Sequence, residues 1–275
     1  SSGSRIVPSF PDPAQPRWVA IFGDSFTWGG EVTPEHAYGN VLAQHLGCRV
    51  ANYGVPGYGS DQAFLRYRDR IEDAAPVVVL GHWSENVIRN VNRYRGFLSP
   101  QAGLGLKPRF LASPGGGLEL VPLPALDEDG FAHLGQRPED LPHEWFFPDG
   151  PGGIPSLRFP YLLSAARSLG HYRLLAWLRG EPSYAAFYRA DHPSGALDTT
   201  VAVLRGFVAE AERRGQRPVV AVIPDEKDLR ARLERGIAPY DPLVAALEAA
   251  GIETPDVAGD MLAALAGRDP CEFFM

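Results

Sequence analysis

Three short apolar runs in the first part of the chain constrain its fold more than any other feature. We predict strands at residues 17–22, 49–52 and 76–81, because these runs are short and almost continuously apolar. Such runs are typical of parallel strands that are covered by helices on both faces. Helices are predicted between them, at residues 34–46 and 60–74, so the alternation indicates an α/β fold with a parallel sheet.

The same alternation returns near the end of the chain. A helix at 195–214 and a strand at 218–223 are followed by helices at 226–235 and 240–250, a strand at 252–257 and a short helix at 259–266. Since crossovers between parallel strands are right-handed, we predict a flavodoxin-like three-layer α/β/α sandwich. Its sheet is expected to hold about five parallel strands in the order 2-1-3-4-5, with a ligand crevice at the switch point.

Residues 95–193 interrupt this pattern after the third strand and are rich in Pro and Gly. A hairpin is predicted around the glycines at 115–117, irregular loop over 122–158 and one amphipathic helix over 160–179. An insertion at the carboxyl end of a parallel sheet lies beside the ligand crevice. We therefore interpret it as a lid or substrate-binding cap, with a structural excursion or an oligomer contact as the alternative.

We predict a single α/β domain at 17–275 that includes this insertion. Residues 5–16 contain four prolines, so residues 1–16 are expected to form an extended arm. The sequence Ser-Ser-Gly-Ser at 1–4 is typical of a tag remnant. No signal peptide is visible, which favours the cytoplasm, with export as the alternative if a leader was removed.

Each of the three strands is followed by a residue that could take part in acyl transfer. Ser25 follows the first strand, Gly54 the second and Asn86 the third. A serine at such a turn can act as a nucleophile, and the backbone N–H groups of Ser25 and Gly54 and the Asn86 amide can stabilise a tetrahedral oxyanion. The alternatives are a helix N-cap for Ser25 and Asn86 and a turn glycine for Gly54. Asp24 is expected to hold the turn and Asn52 to tie loops together.

These residues resemble the sequence blocks of SGNH (GDSL-type) hydrolases. The first block is matched by Gly23-Asp24-Ser25 with Gly29, the second by Asn52-x-Gly54-x-x-Gly57, and the third by Gly81 to Asn86, where Ser84-Glu85-Asn86 stands in place of the usual Gly-x-Asn-Asp. Within the family, Glu85-Asn86-x-x-Arg89-Asn90-Val91-Asn92 resembles a bacterial subgroup. The resemblance covers roughly residues 17–95. It implies a serine esterase, lipase or acyl-group enzyme with Ser25 as nucleophile.

The family's fourth block, Asp-x-x-His, is expected to be absent from the whole chain, and residues 269–275, where the family has it, contain no histidine. We expect the base histidine to come after Met275, outside this chain. As alternatives, His82 at the end of the third strand serves as the base, or the chain binds a ligand without turnover. The remaining histidines have no partner pattern and are interpreted as surface or satisfied polar residues: His36, His45, His133, His143, His171 and His192.

Residues 85–95 form a polar segment that begins beside the proposed oxyanion residue. If the segment is helical, Asn86, Asn90 and Arg93 share one face, and Glu85 pairs with Arg89 at i,i+4. Such a face could hold a polar or anionic acyl or sugar group. A solvated, salt-bridged face is the alternative.

Composition excludes several other classes of function. The net charge of −7 gives no electrostatic footprint for nucleic acid, and no apolar stretch is long enough to cross a membrane. Neither a metal nor a cofactor is predicted, because no cluster has metal-ligand spacing. Cys48 and Cys271 are expected to be free thiols, with a bridge between them as the alternative. The oligomeric state is left open.

The sequence thus predicts a serine ester hydrolase, an esterase or deacylase that acts through an acyl-enzyme on Ser25. Its expected partner is a small-molecule or carbohydrate ester, such as a short acyl ester of a sugar or small metabolite. An O-acyltransferase with the same nucleophile is one alternative. A non-catalytic ligand-binding domain on the same fold is the other.

Overall fold

The chain divides into two compact units. The first contains the residues up to Asn86 and those from Thr200 onward, and the second is Val87–Thr199, which includes the predicted insertion. The structure, a computed structural model, describes residues 3–12, 14–99, 105–113, 115 and 117–274. Ser1 and Ser2 of the predicted tag remnant, Gly116 of the predicted hairpin and Met275 lie outside the described residues.

A four-stranded parallel sheet forms the centre of the first unit, in the order β2-β1-β3-β6. The strands of the chain are β1 (Arg17–Phe22), β2 (Arg49–Asn52), β3 (Val77–Trp83), β4 (Arg109–Ala112), β5 (Leu118–Val121) and β6 (Arg217–Ile223). β1 pairs with β2 on one side and with β3 on the other, and β3 pairs with β6. The predicted α/β class and the order of these four strands are confirmed.

The fifth strand predicted at 252–257 is wrong. The Val220 N–H donates to the Glu253 carbonyl at 3.3 Å, and Arg217 pairs with Glu253 at 2.8 Å, so this segment does run beside β6. Pro255, however, has no N–H to donate, and a strand ladder cannot continue through it. The segment therefore remains irregular.

The helices of the chain are, in order, α1 (Ser25–Trp28), α2 (Tyr38–Leu46), α3 (Ser60–Arg70), α4 (Asn86–Arg89), α5 (Arg95–Leu98), α6 (Glu128–Ala132), α7 (Tyr161–Leu169), α8 (Tyr172–Arg179), α9 (Ala196–Arg213), α10 (Glu226–Arg235), α11 (Asp241–Ala249) and α12 (Val257–Leu265). Within the described part of the chain, none of them is long and apolar enough to cross a membrane.

Helices cover the sheet on both faces, as the predicted sandwich requires. Successive side chains of β1 point to opposite faces. Ile21 belongs to an apolar cluster against which Leu42 of α2 packs. On the other face Phe22 meets Tyr67 of α3 edge to face at 5.1 Å, and Tyr67 meets Phe207 of α9 at the same distance. Burial on both faces explains why the strands are almost continuously apolar.

Two helix boundaries in the first unit differ from the prediction. α2 begins at Tyr38 rather than at Pro34, because the residues before it form a turn in which the His36 N–H donates to the Thr33 carbonyl at 2.9 Å. α3 ends at Arg70, since Ile71 is already extended. β1 and β2 end where predicted, but β3 continues to Trp83, two residues past its predicted end, so His82 lies within the strand.

The second unit contains the predicted hairpin, in which β4 and β5 pair antiparallel. The single helix predicted over 160–179 is instead the pair α7 and α8. Glycine is a poor helix residue, and α7 ends at Gly170, whose N–H bonds to the Arg167 carbonyl at 3.2 Å. The predicted loop at 122–158 also contains α6 and a 3₁₀ turn at Pro138–Asp140.

A buried carboxylate organises the interior of the second unit. Glu144 accepts hydrogen bonds from the backbone N–H groups of Arg93, Tyr94 and Phe146 and from the side-chain amide of Asn92. Burial raises the pKa of the Glu144 carboxyl, and these donors oppose the shift. Both oxygens of the Glu144 carboxylate accept hydrogen bonds. A donor in place of either oxygen would leave a backbone N–H group without an acceptor.

We expect Glu144→Gln to lower the free energy of unfolding by about 1–3 kcal/mol, the usual effect of leaving a buried donor without an acceptor. The amide NH₂ would face backbone N–H groups in either orientation. Urea denaturation of both proteins measures the difference. Glu139→Gln, at an exposed glutamate of the nearby 3₁₀ turn, is the control and should change little. Equal stability of the two variants would contradict this account.

Candidate active site

Ser25 is the first residue of α1 and follows β1 after a two-residue turn. Asp24 caps the helix: its Oδ1 accepts a hydrogen bond from the Phe26 N–H at 2.9 Å. At the other end Gly29 adopts φ +69°, which favours glycine, and its N–H donates to the Ser25 carbonyl. The turn is thus fixed at both ends, and Ser25 itself is only half-buried.

Asn52, the last residue of β2, connects this helix to the next loop. Its Nδ2 donates to the Thr27 carbonyl at 2.7 Å, and its Oδ1 accepts from the Gly54 N–H at 2.9 Å. The Gly54 N–H, predicted to be an oxyanion donor, is therefore bonded to Asn52. The predicted role requires Gly54 to share this N–H with a bound oxyanion or to release it from Asn52.

The backbone of Gly54 lies directly against α1. A Cβ at this position would be 2.4 Å from the Trp28 nitrogen and 2.7 Å from the Thr27 carbonyl carbon. Gly81 of β3 is constrained in a similar way, since a Cβ there would be 2.7 Å from the Thr27 Oγ1. Because neither residue has a Cβ, α1 packs directly against the loop after β2 and against β3.

Asn86 begins α4, three residues beyond Trp83, whose ring lies 4.7 Å from that of Phe26. Asn86 is fully buried. Among the described residues, neither its Oδ1 nor its Nδ2 has a hydrogen-bond partner. A buried amide without a partner destabilises a fold by about 1–3 kcal/mol, so the amide of Asn86 can bind a ligand or an ordered water without losing a hydrogen bond of the fold.

Ser25 lies on the wall of a cavity of about 280 Å³ in the first unit. The other lining residues are Phe26, Gly29, Glu31, Val32, Tyr38, Phe273 and Phe274, and the last two belong to or follow a 3₁₀ turn at Pro270–Phe273. Tyr38 donates to the Thr27 Oγ1 at 3.2 Å, and burial raises the pKa of its phenol well above the usual range. The described wall is largely apolar and includes no histidine.

His82 does not face this cavity. Gly81 and Trp83, its neighbours on β3, are the residues that approach α1, so His82 points to the opposite face of the sheet. There its Nδ1 is 2.6 Å from the Oγ of Ser60, and both side chains are buried. The structure pairs His82 with Ser60 and does not bring it to Ser25.

The expectation that no Asp-x-x-His spacing occurs is wrong. Asp140 and His143 have this spacing, far from the C-terminal position that the family resemblance implies. Both lie in the second unit, where His143 is exposed at φ +68° and its carbonyl accepts from Arg109. His192, in the same unit, has its Nδ1 2.8 Å from the Ser194 Oγ.

The helical face predicted over residues 85–95 is wrong as well. α4 ends at Arg89, and Glu85 precedes it. Arg93 is almost completely buried, and its guanidinium donates to the carbonyls of Pro122 and Pro142. Asn90 and Asn92 are buried too, so the solvated face is also excluded. Roles of Glu85, Arg89 and Asn90 in ligand binding stay predictions.

One cluster in the described residues brings metal-ligand atoms together, contrary to the prediction from spacing. Ligand atoms of Glu226, Asp269 and Cys271 lie within 4.8 Å of one another. Arg230, however, pairs with both carboxylates at 2.7 Å, so the cluster is an ion-pair network. Cys271 and Cys48 are free thiols, as predicted.

No family model matches the chain, and no curated protein matches it. Solved structures similar to it include a G-D-S-L family protein from Desulfitobacterium hafniense DCB-2, at 11% identity over 86% of this chain and 74% of that chain, with a TM-score of 0.36. Another is AlinE4, an SGNH-hydrolase family esterase, at 13% identity over 94% and 82%, with a TM-score of 0.39. Both carry the name of the family whose sequence blocks this chain resembles. At these identities and TM-scores the likeness decides nothing about activity, which has to be inferred from the residues.

We expect Gly54→Ala to lower the free energy of unfolding by about 1–3 kcal/mol, the usual effect of overpacking. The new methyl group would meet the backbone of α1, which has no flexible end to move aside. Urea denaturation measures the loss. Gly170→Ala is the matched control, because its Cβ would lie 3.7 Å from the nearest atom. If Gly54→Ala unfolded at the wild-type urea concentration, the close approach of the two backbones would be refuted.

Proposed function

We propose that this chain is a serine ester hydrolase of the SGNH (GDSL) type, with Ser25 as its nucleophile. The observation that carries the proposal is the position of Ser25. It is half-buried on the wall of a largely apolar cavity, at the turn between a buried parallel strand and a helix. A nucleophilic side chain at the carboxyl end of a parallel sheet lies where ligands bind in such folds.

The proposed reaction proceeds through an acyl-enzyme. The Ser25 Oγ bonds to the acyl carbon of the ester, and a base accepts the hydroxyl proton. The tetrahedral intermediate then expels the alcohol, which takes up that proton. Water attacks the acyl-serine in the second half of the cycle and releases the carboxylic acid and free Ser25.

Asn86 is proposed as the main side-chain donor to the oxyanion. Its amide is buried and has no partner among the described residues, so a developing negative charge would satisfy a donor that the fold leaves unused. Gly54 is proposed as a second donor through an N–H that it shares with Asn52. Losing one such donor typically lowers the rate by about 10²–10³-fold.

The base is proposed to be a histidine. Phe273 and Phe274 line the Ser25 cavity, so the C-terminal residues described here lie beside the proposed nucleophile. The family resemblance implies a histidine in this C-terminal position. Among the described histidines, His82 is bonded to Ser60 on the far face of the sheet.

The cavity favours a small apolar acyl group. Its volume is about 280 Å³, and Phe26, Val32, Phe273 and Phe274 supply apolar walls. Glu31 on the same wall would disfavour an anionic acyl group by charge repulsion. We therefore propose short neutral acyl esters of a sugar or small metabolite as substrates.

We expect a fluorophosphonate probe to label Ser25, because the probe reacts only with serines that are activated as nucleophiles. Intact mass should show one adduct on the full-length protein, and none on its Ser25→Ala variant. Ser60→Ala is the matched control, since Ser60 is a buried serine that pairs with a histidine. It should keep the label. Loss of the label in Ser60→Ala but not in Ser25→Ala would refute the proposal.

The same experiment identifies the base. If the full-length protein is labelled, the histidine whose replacement by glutamine abolishes labelling is the base, and His82→Gln and His143→Gln are tested first. If the full-length protein is not labelled, the serine hydrolase proposal fails, and a ligand-binding domain on this fold takes its place.

We expect Asn86→Ala to slow fluorophosphonate labelling by about 10²–10³-fold while leaving the free energy of unfolding unchanged or higher. The reason is that the fold makes no hydrogen bond to this amide within the described residues. Asn40→Ala is the control: Asn40 is buried but bonded to the Ser9 N–H and the Glu35 carbonyl. That variant should lose stability and keep its labelling rate. The opposite pattern would assign Asn86 to the fold.

A further inference from the structure

The second unit exposes an unusual number of large apolar side chains around α7 and α8. Leu157, Phe159 and Leu162 are 80%, 85% and 83% exposed, and Trp177 is 72% exposed. Tyr161, Leu163, Leu169 and Leu178 are exposed as well. Contiguous apolar surface of this kind on a folded protein marks a place where something else binds. We call residues 157–179, which contain α7 and α8, the helix pair.

The apolar side of α7 points away from the protein. Leu162, Ala166 and Leu169 follow one another at helical spacing and are exposed. The buried residue of this helix is Ser164, whose Oγ accepts from the Arg158 N–H at 3.0 Å. A surface helix normally buries its apolar face and exposes its polar one. In α7 this arrangement is reversed.

α8 buries one side and exposes the other. Its inner side contains Ala176 and Tyr172, and the Tyr172 ring meets Phe187 at 5.3 Å. Trp177 and Leu178 are on the outer side. Tryptophan is enriched where an apolar phase meets water, because its ring is large and its N–H polar.

The helix pair is basic although the whole chain is acidic. Residues 157–179 contain four arginines, Arg158, Arg167, Arg173 and Arg179, and no aspartate or glutamate. The chain as a whole has a net charge of −7. Asp149, outside the pair, bonds to Arg158 at 3.1 Å. The exposed apolar residues therefore lie in a segment with a local excess of positive charge, although the chain as a whole is acidic.

We propose that the helix pair binds the surface of a membrane that contains anionic lipids, with its apolar side chains inserted at the level of the headgroups. A helix with Trp, Phe and Leu on one side and arginines beside them is typical of segments that lie in this interface. The helices lie on the membrane in this proposal and do not cross it. Each arginine near an anionic surface adds to the attraction.

Charge also argues against a second copy of the chain as the occupant. In a two-fold symmetric dimer the same patch lies on both sides of the interface. Arg167, Arg173 and Arg179 would then face the same arginines of the other copy, and like charges repel. An anionic lipid surface has the complementary charge. Asp149, which pairs with Arg158, and Glu181 are the acidic residues nearest to the helix pair in sequence, and acidic residues more than about 10 Å away are screened at physiological salt.

The test is flotation with vesicles of stated composition. We expect the full chain to float with phosphatidylcholine vesicles that contain about 30% phosphatidylglycerol and to stay behind with pure phosphatidylcholine. Binding should weaken as NaCl rises from about 0.05 to 0.5 M, since the arginines contribute by charge. Tryptophan emission should shift to shorter wavelength on binding, and Trp177→Phe should remove most of that shift.

Matched variants distinguish binding through the helix pair from nonspecific adsorption to vesicles. Phe159→Ser with Leu162→Ser should weaken binding roughly tenfold or more, since both side chains would otherwise leave water. Leu233→Ser with Ile237→Ser removes two exposed apolar side chains of the first unit, which are 59% and 62% exposed, and should leave binding unchanged. Arg179→Gln should weaken binding, while Arg235→Gln should not, although both arginines end a helix just before a left-handed glycine.

Three results would overturn the proposal. The first is the absence of binding to the phosphatidylglycerol vesicles. The second is binding that survives Phe159→Ser with Leu162→Ser in a variant that unfolds like the wild type. The third is a dimer in light scattering that this variant converts to monomer without any vesicle binding, which would assign the patch to a second copy. None of these measurements depends on Ser25.

Discussion

The side chain of Asn52 joins the loop after β2 to helix α1, and the geometry of the candidate site follows from that connection. One amide group bonds to a carbonyl of the helix and to an N–H of the loop. Two backbones can approach this closely only where the loop residue has no Cβ, which is the case at Gly54. Ser25 is carried by the same helix, so its position depends on a contact made two residues further along, at Thr27.

Much of this arrangement could be predicted from the sequence, because short apolar strands and the residues after them are local signals. β1 and β2, which precede Ser25 and Gly54, end where the pattern indicates, whereas β3, which precedes Asn86, continues two residues past its predicted end to Trp83. The fifth strand was not predictable from its apolar residues, since the missing N–H of Pro255 decides the outcome. The break between α7 and α8 depends similarly on Gly170, which the helical periodicity on both sides conceals.

Other features could not be predicted because they depend on contacts between residues far apart in sequence. Glu144 accepts from donors about fifty residues earlier, at Asn92 to Tyr94, and no local pattern announces a buried carboxylate. The same contacts bury Arg93 and Asn92, so a segment that is polar in sequence forms part of an interior. A buried polar group of this kind is stable only when its hydrogen bonds are complete.

The irregular segment beside β6 also determines how the sheet ends. β6 is an edge strand, and its residues 219–223 are all apolar. Such an edge could recruit a strand from another molecule and start aggregation. Glu253 occupies part of the edge with one carbonyl and one ion pair to Arg217, and Pro255 prevents the segment from becoming a strand with a free edge of its own. The segment beside β6 therefore covers part of this sheet edge without forming a strand, so a strand from another chain cannot easily add there.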